Sequence, residues 1–467
     1  MNSSTSNPGS IENLNNAPFS LFHLRAVLTS GMGFFTDAYD LFIIGAALVL
    51  IKPLWHPTTA QVGLLGSSAL VAAFIGAFVF GRLADVIGRK KIYGILAGIM
   101  AFGALASAFA PNITWLLIFR FILGIGIGGD YPVSAVLMSE YANTKDRGKM
   151  VGLVFSMQAV GLVLGPIVAI TLLGSGIPSD IAWRLMLGLG AIPAGAVIWM
   201  RSRMPESPRY LARVKGKTEE AQKSLSQFAG RQLAVVTREA KAKVNRMTFA
   251  QFISNPKYLL YLLGTAGSWF VFDYAYYGNS ISMPLVLKSV APSASPIATY
   301  AWTLIVFAVA AVPGYALAVS KMDKIGHKKL QLLGFIFMGL AFGIIGLVPH
   351  MTHLIVPFLI VFGASYFFAE FGPNTTTFVM ASEVYPTNMR TTGHGISAGV
   401  AKVGAFVGVF VFPLLEKAAG LSGTLLITFG FSIVGVLLTL LLPEPSQRSL
   451  EAISGEEDEA ATSAVNA

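Results

Sequence analysis

The sequence predicts an all-α membrane protein with twelve transmembrane helices in two pseudo-symmetric six-helix bundles. Three observations predict it: a composition too apolar for a water-soluble surface, twelve apolar segments divided six and six by a polar stretch, and short motifs that recur at nearly constant offset. Of the 467 residues, 54% are hydrophobic and only 12% charged, with a mean hydropathy of +0.67. A soluble protein carries about a quarter charged residues. The composition therefore excludes a soluble enzyme, a disordered chain and a nucleic-acid-binding module. With no cysteine, there is no disulfide framework, thiolate metal site or redox motif.

A spanning helix needs about 20 mostly apolar residues. The first twenty residues are polar and lack the features of a secretory signal, so the apolar segment from about Leu24 is expected to remain in the mature protein. Spans are expected near 24–51, 61–81, 92–110, 113–138, 149–174 and 183–200, then near 257–286, 298–320, 330–348, 352–381, 392–416 and 421–442. This gives an N-terminal bundle over 1–200, a polar linker over 201–256, a C-terminal bundle over 257–442 and a tail over 443–467. The linker reads as short amphipathic helices on the cytoplasmic side. The tail is acidic and rich in small residues, and is expected to be disordered.

With both termini inside, 27 of the 33 Lys and Arg fall on the inner side and 3 in outer loops. This asymmetry sets orientation. It predicts a multi-pass protein of a cell (inner) membrane with both termini cytoplasmic. It also accounts for the net charge of +10 without nucleic acid.

The chain repeats itself. D-V-I-G-R-K-K begins at Asp85 and D-K-I-G-H-K-K at Asp323. Glu140 precedes Arg147 by seven residues, as Glu383 precedes Arg390. Pro205-Glu206 closes the first half and Pro443-Glu444 the second. Three pairs in the same order imply two equivalent halves of like topology. That is the parallel repeat of a secondary transporter, with its site at the midplane between the halves. Asp85 and Arg89 are expected at the inner ends of helices 2 and 3, where they can pair or cap a neighbouring helix. With Glu140, Arg147, Asp323, Glu383 and Arg390 they are candidate gating residues; the bland alternative is a set of topology anchors.

Charged residues inside spans are costly and functional by default. The first span carries Asp37 and Asp40, the fourth Arg120 and Asp130, the seventh Asp273, the tenth Glu370 with Asn374, and the eleventh Lys402; the fifth carries Gln158. Asp37 and Asp273 occupy equivalent positions of the repeat, as do Gln158 and Lys402, and Asp130 falls opposite Pro373-Asn374. Helices 1, 4, 5, 7, 10 and 11 are therefore expected to converge on one cavity, with Trp269, Tyr274, Tyr276 and Tyr277 in its lining. Arg120 reads as structural, whereas Glu370 and His394 are open between structural and functional roles. The G-I-G-I-G-G run at Gly124–Gly129 lies inside a span and reads as a helix-packing surface. The six histidines show no ligand spacing, so neither a metal nor a cofactor is expected.

Longer stretches carry a resemblance. N-A-P-F-S-L-F-H from Asn16, G-F-F-T-D-A-Y-D from Gly33, G-I-G-G-D-Y-P from Gly126, P-E-S-P-R from Pro205, F-G-P-N-T-T-T-F from Phe371 and E-V-Y-P-T-N-M-R-T-T-G-H-G-I-S-A from Glu383 are similar to the phosphate:proton symporters of the major facilitator superfamily. The likeness covers nearly the whole chain. It implies the major facilitator fold, with inorganic phosphate, protons and the lipid bilayer as partners. It further implies a phosphate site of Tyr131, Gln158, Trp269, Asp273, Tyr277 and Asn374. Asp37, Asp40 and Asp130 become a proton route, and Lys402 a charged residue flanking the cavity.

These residue types suit phosphate. Neutral donors hold its oxygens without adding full charge, and Asp273 can accept a hydrogen bond from P–OH, which sulfate lacks at neutral pH. Burial favours a protonated acid, and a bound anion favours it further, so proton and anion binding are linked. Two alternatives remain at this stage: a proton-coupled transporter of a sugar or another small anion, and a nutrient sensor without transport.

Overall fold

The computed structural model describes residues 15, 16, 19–229 and 247–456. Among these, ten helices are long and apolar enough to cross a membrane. They are α1 (Leu21–Trp55), α2 (Ala60–Ile87), α3 (Arg89–Ala108), α4 (Ile113–Tyr141), α5 (Arg147–Gly174), α6 (Ser179–Ser202), α8 (Pro296–Ile325), α9 (His327–Leu347), α10 (Ile355–Ala381) and Arg390–Leu440. The last is two spans, α11 and α12, joined at Gly420 with φ 69°. Pro256–Ile281 is α7, with Ser268, Asp273 and Asn279 buried along it. Twelve spans in two sets of six result.

Helix starts follow from local chemistry. Thr58 and Gln61 form a reciprocal cap at the start of α2, Asn112 caps α4 and Asn255 caps α7 ahead of Pro256. The recurring D-x-I-G motifs do something different. Gly88 and Gly326 turn the chain into α3 and α9 at φ 124° and 102°, a region that penalises a Cβ. Glycine offers no capping side chain, so each half supplies one from its distant Pro-Glu. Glu206 accepts from the Lys90 N–H at 3.2 Å, and Glu444 from those of His327 and Lys328 at 2.8 and 3.1 Å. The carboxylates satisfy orphan N–H groups and complement the helix dipole. The repeat is therefore a structural device used twice.

Linker and tail occupy one face, here the linker side; the opposite face is the far side. The linker holds helices Pro208–Tyr210, Thr218–Ala229 and Phe249–Ser254, and 230–246 lie outside the described residues. The expected disorder from Pro443 onward does not hold for 443–456. Helix Leu450–Ser454 is capped by Ser449, and Glu451 is buried against Arg209 at 3.2 Å. An acidic composition reads as solvated, but here buried arginines meet it. Residues 457–467 lie outside the described residues.

The halves meet through α2 against α11 and α5 against α8. At the first crossing a Cβ on Gly395 would stand 2.5 Å from the Ala77 carbonyl oxygen, which is backbone and cannot yield. Gly395→Val is expected to destabilise the closed protein by about 1–3 kcal/mol through overpacking, seen as a lower melting temperature in detergent; an unchanged melting temperature would contradict this packing.

Candidate functional site

Besides α6, which is interrupted at Leu189–Gly190, three spans lose regular helix geometry near mid-depth. α5 breaks at Met157, one residue before Gln158. α8 carries a π turn at Phe307–Ala311, just before Pro313, and α10 carries one at Glu370–Asn374 containing Pro373. A proline removes an N–H from the ladder and frees the carbonyl four residues earlier. Such breaks at membrane depth occur where the backbone lines a site.

Between them, side chains from both halves form one hydrogen-bonded chain. The Lys402 ammonium on α11 donates to Tyr277 Oη at 3.0 Å and Tyr131 Oη at 3.5 Å, and it pairs with Asp273 at 3.1 Å. It also lies over the Tyr131 and Tyr277 rings, at 4.5 and 4.3 Å. Gln158 Nε2 donates to Tyr131 at 2.9 Å, Tyr315 donates to Gln158 Oε1 at 3.2 Å, and Asn374 Nδ2 donates to Tyr315 at 2.8 Å. Every member is at least 96% buried. Tyr131 and Gln158 belong to the first repeat; Asp273, Tyr277, Tyr315, Asn374 and Lys402 belong to the second.

Aromatic layers close the chain on both sides. Towards the linker, Phe34, Phe155 and Phe378 pack with ring centroids 4.5–5.4 Å apart. Trp269 lies there too, 6.1 Å from the Tyr131 ring and edge-on to His394. On the far side Phe42 of α1 stacks on Tyr277 and meets Phe307 across the halves.

The structure thus brings together Tyr131, Gln158, Asp273, Tyr277, Asn374 and Lys402, with Trp269 beside them. Lys402 sits in the middle of the group rather than at its flank. Of the three expected acids, Asp37 lies next to this group, beside the Tyr131 hydroxyl and within electrostatic reach of Lys402 and Asp273, and it forms no ion pair among the described residues. Asp40 points away into the first half against Gly190; Arg120 donates to its backbone carbonyl at 2.8 Å, and its carboxylate is unpartnered. Asp130 also points away, facing both terminal nitrogens of Arg201 at 2.7 Å.

Arg201, Tyr315 and His327 were not singled out by sequence. Arg201 falls at the start of the predicted linker, but it folds back at the end of α6 and stacks 3.7 Å over Tyr93. Tyr315 is one hydroxyl in an apolar helix, and no pattern marks it. His327 did carry a signal: it stands in the second D-x-I-G motif where Arg89 stands in the first.

The linker side holds two ion-pair clusters related by the repeat. Glu140 binds Arg89 of its own half at 3.2 Å and Arg390 of the other at 3.3 Å. Glu383 binds His327 of its own half at 2.9 Å and Arg147 of the other at 2.6 Å. Asp85 accepts from the Thr392 N–H at 2.7 Å and pairs with Arg89 at 2.9 Å. Asp323 accepts from the Gly148 and Lys149 N–H groups at 3.0 and 2.7 Å. All seven gating candidates therefore stand where the halves touch. Both glutamates are fully buried, so each cluster ties one half to the other in a low-dielectric setting. The tail adds a strap: Arg147 donates to the Pro445 and Arg448 carbonyls, and Arg213 reaches Glu451 and Glu456.

Residues 26–456 match the model of the sugar (and other) transporter family. The chain is 35% identical to the low affinity inorganic phosphate transporter 8 of Medicago truncatula, over 96% of this chain and 93% of that one. It is also 35% identical to the inorganic phosphate transporter 1-4 of Arabidopsis thaliana, over 94% of each. Among solved structures, it matches the proton:xylose symporter XylE bound to 6-bromo-6-deoxy-D-glucose, with a TM-score of 0.80 at 20% identity over 93% of this chain and 98% of that one. The human organic anion transporter MFSD10 matches with a TM-score of 0.64 at 15% identity over 89% and 99%. The twelve-helix architecture, the twofold repeat and the family match agree: the chain belongs to the sugar (and other) transporter family of the major facilitator superfamily, within its group of inorganic phosphate transporters.

Proposed function

We propose that the protein imports inorganic phosphate together with protons by alternating access. It would do so in a cell (inner) membrane, with both chain ends and the linker in the cytoplasm. The observation that carries this reading is a single buried ammonium, Lys402, held among two tyrosine hydroxyls and one carboxylate at the junction of the repeats. A phosphate oxygen takes the ammonium, while Tyr131, Gln158, Trp269, Tyr277 and Asn374 donate to the others without adding charge. Asp273, released from Lys402, accepts from P–OH. Sulfate has no such hydrogen and meets a bare carboxylate. The relatedness to plant phosphate transporters over more than nine-tenths of the chain supports the substrate.

Coupling follows from charge. Asp37 lies within electrostatic reach of the ammonium and has no ion-pair partner among the described residues. Protonating it removes the charge that opposes an arriving anion, and the bound anion in turn favours the proton. Asp40, one turn further on, and Asp130, once its Arg201 pair opens, extend the route. The clusters of Asp85, Arg89, Glu140, Arg147, Asp323, Glu383 and Arg390 keep the linker side shut while the site loads from the far side.

Purified protein in proteoliposomes is expected to accumulate radiolabelled phosphate when the far side is acidic. Accumulation collapses with a protonophore, and excess sulfate does not compete. Accumulation indifferent to the protonophore would reject coupling. Absence of phosphate flux would reject the cargo, with labelled sugar and dicarboxylate arms showing whether another solute moves.

A further inference from the structure

Glu370 is a buried acid that the mechanism above does not use. Its side chain is 0% exposed, inside the π turn of α10. One carboxyl oxygen accepts from Asn374 Nδ2, and the carboxyl also faces the Tyr276 and Tyr315 hydroxyls. No Lys, Arg or His pairs with it among the described residues. The groups facing it are Tyr276 from α7, Tyr315 from α8, and Asn374 and Tyr366 from α10. Leu330 and Gly334 of α9 pack against the turn, and neither carries a charge. An ionised carboxylate without a counter-charge is costly in such surroundings.

Two connections leave this group. Through Asn374 it joins Tyr315, Gln158, Tyr131 and Lys402, so it lies at the end of the hydrogen-bonded chain. Through Tyr366, one turn earlier on α10, it approaches Ser280, whose hydroxyl is 2.9 Å from Tyr366 Oη. Ser280 lines a far-side cavity of about 30 Å³ with Thr303 and Phe307, room enough for water. The Tyr276 hydroxyl stands beside the carboxyl as well.

We propose that Glu370 is a proton-carrying carboxyl of the second half, loaded from the far side through Ser280 and Tyr366 and coupled to the substrate site through Asn374. The inference rests on the phosphate reading and adds a second acid to it. On loading, hydronium in the far-side cavity gives up a proton and is left as water, the intervening hydroxyls each pass one on and receive one, and a new O–H bond forms on Glu370. Neutral Glu370 leaves the Lys402–Asp273 pair balanced, so one arriving phosphate adds only its own charge. On release that O–H bond breaks, water of the open side takes the proton, and the carboxylate left behind repels the anion. Asn374 carries the message, because its amide donates to Glu370 and to Tyr315 from the same nitrogen.

The test uses the full chain in proteoliposomes. In Glu370→Gln, which is permanently neutral, exchange of labelled for unlabelled phosphate continues, while accumulation driven by a pH gradient is lost. Accumulation by Glu370→Gln with the parent pH profile would overturn the proposal. If the variant loses exchange as well, infrared difference spectra of the unmodified protein decide. A carboxylic-acid C=O band that titrates with pH and shifts in Glu370→Asp supports the proposal; its absence overturns it. If the unmodified protein exchanges no phosphate, the phosphate reading fails, and this band, recorded without phosphate, still decides whether Glu370 carries a proton.

Discussion

Lys402→Met lowers phosphate uptake at least about a hundredfold. Hydrogen bonds to charged groups contribute about 1.5–3 kcal/mol each, and each 1.4 kcal/mol is tenfold in an equilibrium. Lys402 is the sole cation contacting the interhalf chain among the described residues. The neutral donors around it therefore have no substitute for its charge. The same substitution strands Asp273, which is 1% exposed and has Lys402 as its ion-pair partner. Removing one member of a buried pair costs about 3–5 kcal/mol in stability. The double variant Lys402→Met/Asp273→Asn recovers most of that stability, because no unpaired charge remains, but it does not recover uptake. Melting temperature and uptake, read side by side, separate the two effects. Uptake by the single variant within a few-fold of the parent protein would remove Lys402 from the site.

Glu383→Gln opens the linker side. Burial alone pushes this carboxyl up, but the neighbouring His327 and Arg147 charges outweigh it and hold it at about 2, against 4.5 ordinarily. Its folded-state value is thus depressed. The stabilisation it gives the closed state is complete above about 4.5 and is lost as the pH falls towards about 2. Asp323 also faces His327, at 3.2 Å, and keeps part of that cluster when Glu383 is gone. The loss is about 3–5 kcal/mol, enough to shift a closed-to-open ratio by at least about two orders of magnitude. Because the chain has no cysteine, a single one at Val319 reports cleanly. That position is 8% exposed at the α5–α8 contact beside Gly152. Labelling from the linker side is expected to speed up about a hundredfold at neutral pH in Glu383→Gln and to lose its acid dependence. Equal labelling rates in parent and variant would contradict the latch.

Much of this was legible in the residues. Twelve spans and their pairing into halves follow from hydropathy and three recurring motifs. The motifs recur for a physical reason: a glycine at positive φ needs a carboxylate from elsewhere to cap the next helix, and each half solves this with its own Pro-Glu. Lys402, Asp273, Gln158 and Asn374 were visible because a polar group in an apolar span is conspicuous. Their partners were not. Tyr315 resembles any lipid-facing tyrosine until α8 is packed against α5. Arg201 looks like a topology marker until the end of α6 carries it back over Tyr93 to Asp130. The tail looks solvated until Glu451 meets Arg209. In each case the missing information is which helices touch, and no local pattern encodes that.

The most direct measurement is a crystal structure of the protein grown with arsenate, an isostere of phosphate whose arsenic gives an anomalous signal. The account predicts one strong peak between the halves, within hydrogen-bonding reach of Lys402, Tyr131 and Gln158. A peak at the linker-side arginines alone, or none between the halves at saturating arsenate, would contradict it.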